Sequence, residues 1–110
     1  MTEQQLTVIT ELLNQVEPVS IEEDYDHLIL SMNGKKTIRI YANGDQFWQL
    51  NGKFHRTDGP AIVRANGNRV WYLNGKRHRT DGPAEVYPNG FQRWWLYGRD
   101  FPQEDHTRQV

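Results

Sequence analysis

His55-Arg56-Thr57-Asp58 and His78-Arg79-Thr80-Asp81 each set a base, a cation and a carboxylate within four residues. Hydrolases and nucleases use such groups for proton transfer and charge stabilisation. The two copies lie 23 positions apart within a longer duplication: NGKFHRTDGPAIVRANG at 51–67 returns at 74–90 as NGKRHRTDGPAEVYPNG. A catalytic site needs an asymmetric constellation, whereas an element present once per repeat serves a job that every repeat must do. The expected job is structural, with Arg neutralising the corner Asp or a nearby carbonyl and His packing over the next Trp.

Other chemistries find less support. His27, His55, His78 and His106 are far apart, whereas zinc-binding histidines commonly pair at spacings of about three to five residues. The chain has no cysteine, which removes disulfides, thiolate ligands and cysteine nucleophiles. Its glycines are isolated turn residues and not a phosphate-cradling loop before a helix. Ser20 and Ser31 lie outside any G-x-S-x-G context. Neither an enzymatic activity nor a cofactor is expected.

The 110 residues, 36% hydrophobic and 12% aromatic, suit one domain with a modest core and a surface site. The start, MTEQQLTVIT, has no basic region of a signal peptide, and no apolar run approaches the ~20 residues that span a bilayer. A cytoplasmic location without membrane attachment is the expectation. Residues 1–34 hold seven acidic residues and no Lys or Arg, while the remainder holds 13 basic and 7 acidic residues. Opposite signs in the two parts point to fold-back of the N-terminal part or to different partners for each.

The elements that position these residues follow from the repeat. Asn-Gly, the strongest short hairpin signal, occurs six times, at 33–34, 43–44, 51–52, 66–67, 74–75 and 89–90. Between the turns lie short segments rich in aromatic and β-branched residues, which predict a meander over 36–42, 45–50, 53–56, 61–65, 68–73, 76–79, 84–88 and 91–97. Asp-Gly-Pro at 58–60 and 81–83 supplies the remaining corner.

Alternation puts Trp48, Trp71 and Trp94 on one face with Leu50, Leu73 and Leu96, the expected core face, joined by Ile38, Ile40, Ala61, Val63, Ala84 and Val86. The segment 28–44 reads as a cap lacking five residues of the corner. Leu6, Ile9, Leu12, Leu13 and Val16 predict an amphipathic helix over 3–16, capped by Thr2 and ended by Pro18. Its apolar side can cover a sheet face or pair with a second copy, so the chain is a monomer or a homodimer through this helix; intramolecular cover is the favoured reading.

The organisation is therefore a helix with an acidic segment (1–27), a hairpin-repeat sheet (28–101) and a polar tail (102–110). The fold class is mainly β with one N-terminal α-helix: an antiparallel β-meander of hairpin repeats forming an elongated twisted sheet.

NGKRHRTDGPAEVYPNG followed by Trp and Gly resembles the MORN (membrane occupation and recognition nexus) repeat over residues 30–99, although Arg-Thr-Asp-Gly-Pro-Ala stands where that repeat has Gly-x-Gly. The corner HRTDGPA, with Asn-Gly and W-x-L-x-G around it, is more similar to repeats in proteins of bacteriophages and large DNA viruses. The resemblance implies a hairpin-repeat sheet used for binding or scaffolding and, for viral members of this size, an accessory protein acting on a host component; the favoured reading is a non-enzymatic phage or viral protein-binding module that binds and blocks a host defence protein. Single-stranded nucleic-acid binding and a structural scaffold role are the alternatives.

Specificity resides where the repeats differ. Between the Trp and Leu positions the outward residues are Phe47 and Gln49, then Val70 and Tyr72, then Arg93 and Trp95. Tyr, Trp and Arg are enriched at binding hot spots, which makes Phe47, Tyr72, Arg93 and Trp95 the candidate partner-binding residues. The helix competes for this face. A second candidate surface is the acidic segment Glu22, Glu23, Asp24 and Asp26, which could occupy a basic groove on a nucleic-acid enzyme. Direct nucleic-acid binding through the interspersed arginines and aromatics is less favoured, because the acidic third opposes a polyanion.

Overall fold

A computed structural model of the chain describes residues 1–101; residues 102–110, read above as a tail, and His106 among them, lie outside the described residues. Helix α1 spans Glu3–Leu12. Twelve strands follow: β1 Ser20–Glu23, β2 His27–Met32, β3 Lys36–Tyr41, β4 Gln46–Leu50, β5 Lys53–Phe54, β6 Ile62–Val63, β7 Arg69–Val70, β8 Tyr72–Leu73, β9 Lys76–Arg77, β10 Glu85–Val86, β11 Gln92–Leu96 and β12 Arg99–Phe101. All ladders are antiparallel. The main sheet runs β1-β2-β3-β4-β6-β7-β10-β11-β12, with β5 beside β4, while β8 and β9 form a two-stranded ladder. The result is a twisted open sheet with one helix.

The meander differs from the expected one at each corner. Segments 53–56 and 61–65 are two pieces of one row, not successive neighbours. The Trp48 carbonyl accepts from the His55 N–H at 3.0 Å, and the Trp48 N–H donates to the Ala61 carbonyl at 2.8 Å. Residues 56–60 loop out between these two contacts, opposite the Trp. Trp71 is bracketed in the same way by His78 and Ala84. In the first unit these five residues are absent, and Ile38 stands directly across from Trp48 in an unbroken ladder.

The six Asn-Gly turns are of three kinds, the one at 33–34 having its positive φ values on Gly34 and Lys35. At 51–52 and 74–75 both residues have positive φ, as a two-residue type I′ hairpin requires. At 43–44, 66–67 and 89–90 only the glycine does. There the Asn side-chain oxygen accepts from the backbone N–H two residues on, at 2.9 to 3.0 Å, and the loop is one residue longer.

Helix α1 begins with a capping box: Thr2 Oγ1 accepts from the Gln5 N–H, and Gln5 Oε1 accepts from the Thr2 N–H. It ends earlier than predicted. Pro18 is not the terminator; a tight turn in which Gln15 and Val16 N–H both bond the Leu12 carbonyl closes the helix at Leu12. Gln5 is buried, and its Nε2 donates to the Ile40 carbonyl, tying the helix to the sheet.

Ile9 and Leu12 pack on Leu28, Leu30, Ile38, Ile40, Trp48 and Ala61. The helix therefore takes the Trp face, and among the described residues no element covers the opposite face. Ten residues of helix reach about 15 Å, less than half of the 43 Å long axis. Of the three aligned tryptophans, only Trp48 is buried; Trp71 and Trp94 lie beyond the helix and are half-buried, as are Val63 and Val86.

Candidate functional site

The His-Arg-Thr-Asp corners form a clamp. Arg56 stacks its guanidinium 3.7 Å from the Trp48 ring centroid, donates from Nε to Asp58 at 2.8 Å and from Nη1 to the Pro60 carbonyl at 3.2 Å. Arg79 repeats this over Trp71 at 4.0 Å, with Asp81 and the Pro83 carbonyl. The hydrogen bond from Arg79, then its charge, lowers the Asp81 pKa. Gly59 and Gly82 leave the room: a Cβ at Gly59 would stand 2.9 Å from Arg56 Cζ. Each His serves the next repeat, His55 Nδ1 accepting from the Asn74 N–H and His78 Nδ1 from the Tyr97 N–H, both at 3.0 Å. The predicted roles for Arg hold, while His binds a turn backbone and not a Trp ring.

The uncovered face carries the sequence-predicted residues. Strand alternation turns Phe47, Gln49, Val70, Tyr72, Arg93 and Trp95 away from the helix. A chain of ring contacts joins them: His27 to Tyr41 at 4.9 Å, Tyr41 to Phe47 at 5.3 Å, Phe47 to Phe54 at 5.9 Å and Phe54 to Tyr72 at 5.3 Å. Arg77 continues the run, 5.9 Å from Tyr72 and 5.0 Å from Trp95, where Arg93 also lies at 4.9 Å. Phe47, Tyr72, Arg93 and Trp95 thus belong to one ribbon. Beside its first half, Tyr41, Phe47 and Phe54 with Arg39, Asp26 and Asp45 line an open groove of about 480 Å³.

Its second half is organised by Glu85, a carboxylate only 4% exposed. Glu85 accepts from Trp95 Nε1 at 2.9 Å and from the Tyr87 hydroxyl at 3.0 Å, and pairs with Arg77 at 3.2 Å and Arg93 at 3.8 Å. Burial raises the Tyr87 pKa above the ordinary phenol value, and the hydrogen bond to Glu85 adds to it. Arg93 also bonds Asp100, which strengthens its hold on the proton. Asp45, likewise buried, holds Arg64 at 3.2 Å and the Ala65 N–H at 2.7 Å. Of the ribbon's arginines, Arg64, Arg77 and Arg93 therefore face carboxylates of the same chain, and Arg39 bonds Gln49.

The acidic segment is placed elsewhere. Glu22 and Glu23 lie in β1 at the sheet edge, and β1 pairs with β2, Glu22 opposite Ile29 and Glu23 opposite Leu28. The two carboxylates therefore point to opposite faces. Glu23 binds the Met1 ammonium at 2.9 Å. Asp24 and Asp26 flank the β1–β2 turn and both reach His27 at the end of the ribbon, Asp26 bonding Nδ1 at 2.7 Å and Asp24 lying 3.9 Å from Nε2.

Tyr41, Glu85 and Tyr87 escaped the sequence reading, and Phe54 and Arg77 entered it only among the arginines and aromatics of the nucleic-acid alternative. The signal for Glu85 was present: shifting by 23 places it on Ile62, so a charge stands where the previous repeat buries an aliphatic side chain. Phe54 required knowing that it stands across from Gln49. Among the described residues no three His, Asp or Glu side chains converge as metal ligands, and no helix is long and apolar enough to cross a membrane. No family model matches the chain, and neither a curated protein nor a solved structure does.

Proposed function

We propose that this chain is a non-enzymatic protein-binding module that engages its partner through the uncovered face, with Phe47, Tyr72, Arg93 and Trp95 as contact residues. The observation that carries this reading is the ribbon itself: contiguous half-buried aromatics whose arginines are mostly neutralised by their own chain. Aromatic surface with balanced charge suits a protein partner. A polyanion would need unpaired cations, and its binding would weaken steeply with salt. The MORN-like and viral resemblance of the corner directs the search for the partner to host proteins, defence nucleases among them, with steric occlusion as the mode of action.

The test compares tagged wild-type chain with a Phe47→Ala/Tyr72→Ala variant, chosen because Arg93 and Trp95 also hold Glu85. Two hot-spot truncations of about 1–2 kcal/mol each predict roughly 30-fold to several-hundred-fold weaker binding to the captured partner, with the dispersed amide spectrum of the fold retained although the lost ring contacts lower the melting temperature. Retained affinity would reject this face. A single-stranded oligonucleotide bound with an affinity that falls by orders of magnitude between about 50 and 200 mM salt would favour the alternative.

A further inference from the structure

Strand β1 ends the sheet, and among the described residues nothing pairs with its outer edge. The Asp24 N–H bonds the His27 carbonyl at 2.8 Å, closing the β1–β2 turn. Antiparallel alternation from that pair directs the backbone of Glu22 inward to β2 and the N–H and C=O groups of Ile21 and Glu23 outward, and further along the Val19 N–H takes the Ser31 carbonyl at 2.8 Å. The side chains beside this edge are unusually apolar for exposed positions. Val19 is 64% exposed and Ile21 47%. Ile21 stands opposite Leu30 on the helix-covered face. One flank of α1, with Gln4 and Val8, leans on the β3–β4 turn at Gly44. The opposite flank carries Leu6 and Leu13, 56% and 47% exposed, on the β1 side.

The same edge is acidic. Glu22, Glu23, Asp24 and Asp26 are all exposed, residues 1–34 contain no Lys or Arg, and among the described residues the one cation within reach is the Met1 ammonium on Glu23. We infer that β1 is a docking edge for an extended basic segment of a partner protein, which adds to the sheet as a further strand. The outward groups of Ile21 and Glu23 would supply its backbone hydrogen bonds. Its apolar side chains would cover Leu6, Leu13 and Ile21, and its lysines or arginines, on the alternate face, would meet Glu22 and Asp24. A second copy of this chain fits less well, because it would bring its own Glu22, Glu23, Asp24 and Asp26 against the same four residues. This edge is separate from the aromatic ribbon and does not depend on the function proposed for it.

The test titrates ¹⁵N-labelled chain with a capped octapeptide alternating lysine and valine, and with a control carrying glutamate in place of lysine. The expected result is amide shifts confined to 19–24 and the adjoining flank of α1, with the basic peptide bound at least about tenfold more tightly than the acidic one. Ile21→Pro removes an outward N–H while sparing the β1–β2 ladder, and should weaken binding about tenfold or more. Should that variant lose the β1–β2 pairing, Glu22→Lys/Glu23→Lys carries the test with the same expected loss. Phe47→Ala/Tyr72→Ala should bind the peptide as wild type does, which separates this result from the outer-face test. Equal binding of the acidic peptide, or shifts on the aromatic ribbon, would overturn the inference. So would a dimer of peptide-free chain in sedimentation that Ile21→Pro disperses.

Discussion

Arg56 shows how a motif with catalytic ingredients becomes a fastener. Its guanidinium is committed three ways, to the Trp48 ring, Asp58 and the Pro60 carbonyl. The motif's base is engaged as well, His55 Nδ1 accepting from the Asn74 N–H. The clamp also depends on a residue with no side chain, because a methyl at Gly59 would displace the guanidinium. Arg56→Ala is expected to cost about 1–2 kcal/mol, combining a cation–π contact with its hydrogen bonds. Gly59→Ala should cost a similar amount, and the double variant no more than either alone. Urea midpoints of the three variants check this; additive losses would show that the two residues act separately.

Helix α1 illustrates how adjacent residues of one type divide between core and surface. Leu12 is 4% exposed and Leu13 47%. Leu12→Ala should lower stability by about 2–4 kcal/mol, since it leaves a cavity against the sheet. Leu13→Ala should stay within about 0.5 kcal/mol of wild type. Thermal or urea unfolding of the pair distinguishes this packing from a helix that slides or pairs with a second copy, in which Leu13 would matter. Among strands, the element that matters most is the one the corner interrupts. Extruding five residues opposite Trp48 and Trp71 keeps the ladder in phase on both sides and brings an arginine over each ring.

The whole molecule is unevenly built. Leu28, Leu30, Ile38 and Ile40 are its largest fully buried side chains, and all lie under the helix, at the end outside the 23-residue duplication. The duplicated part relies on clamps, the Glu85 network and short ladders. Hydrogen exchange should therefore show the slowest amides in β2 and β3, and opening free energies lower by at least about 2 kcal/mol in β8 and β9. Uniform protection would indicate that the repeats fold as one unit with the helical end. The uncovered face and the free β1 edge lie on this same scaffold, so one molecule presents an aromatic, charge-balanced surface and an acidic, apolar edge.

Much of this was legible in the residues because it is local. Asn-Gly pairs mark turns through the dihedrals they tolerate, alternation assigns Phe47, Tyr72 and Trp95 to the face opposite Trp48, and a period of 23 exposes the corner as a shared device. What depends on contacts distant in the chain was not. Glu85 gathers Arg77, Tyr87, Arg93 and Trp95 only once three strands lie side by side. Which face the helix would take was undecided by its own pattern, since an apolar stripe states a need for cover without naming the surface. Tertiary packing decided it, because Leu28, Leu30, Ile38 and Ile40 offer the helix more aliphatic surface than the arginine-lined side does, and that choice left the aromatic ribbon open.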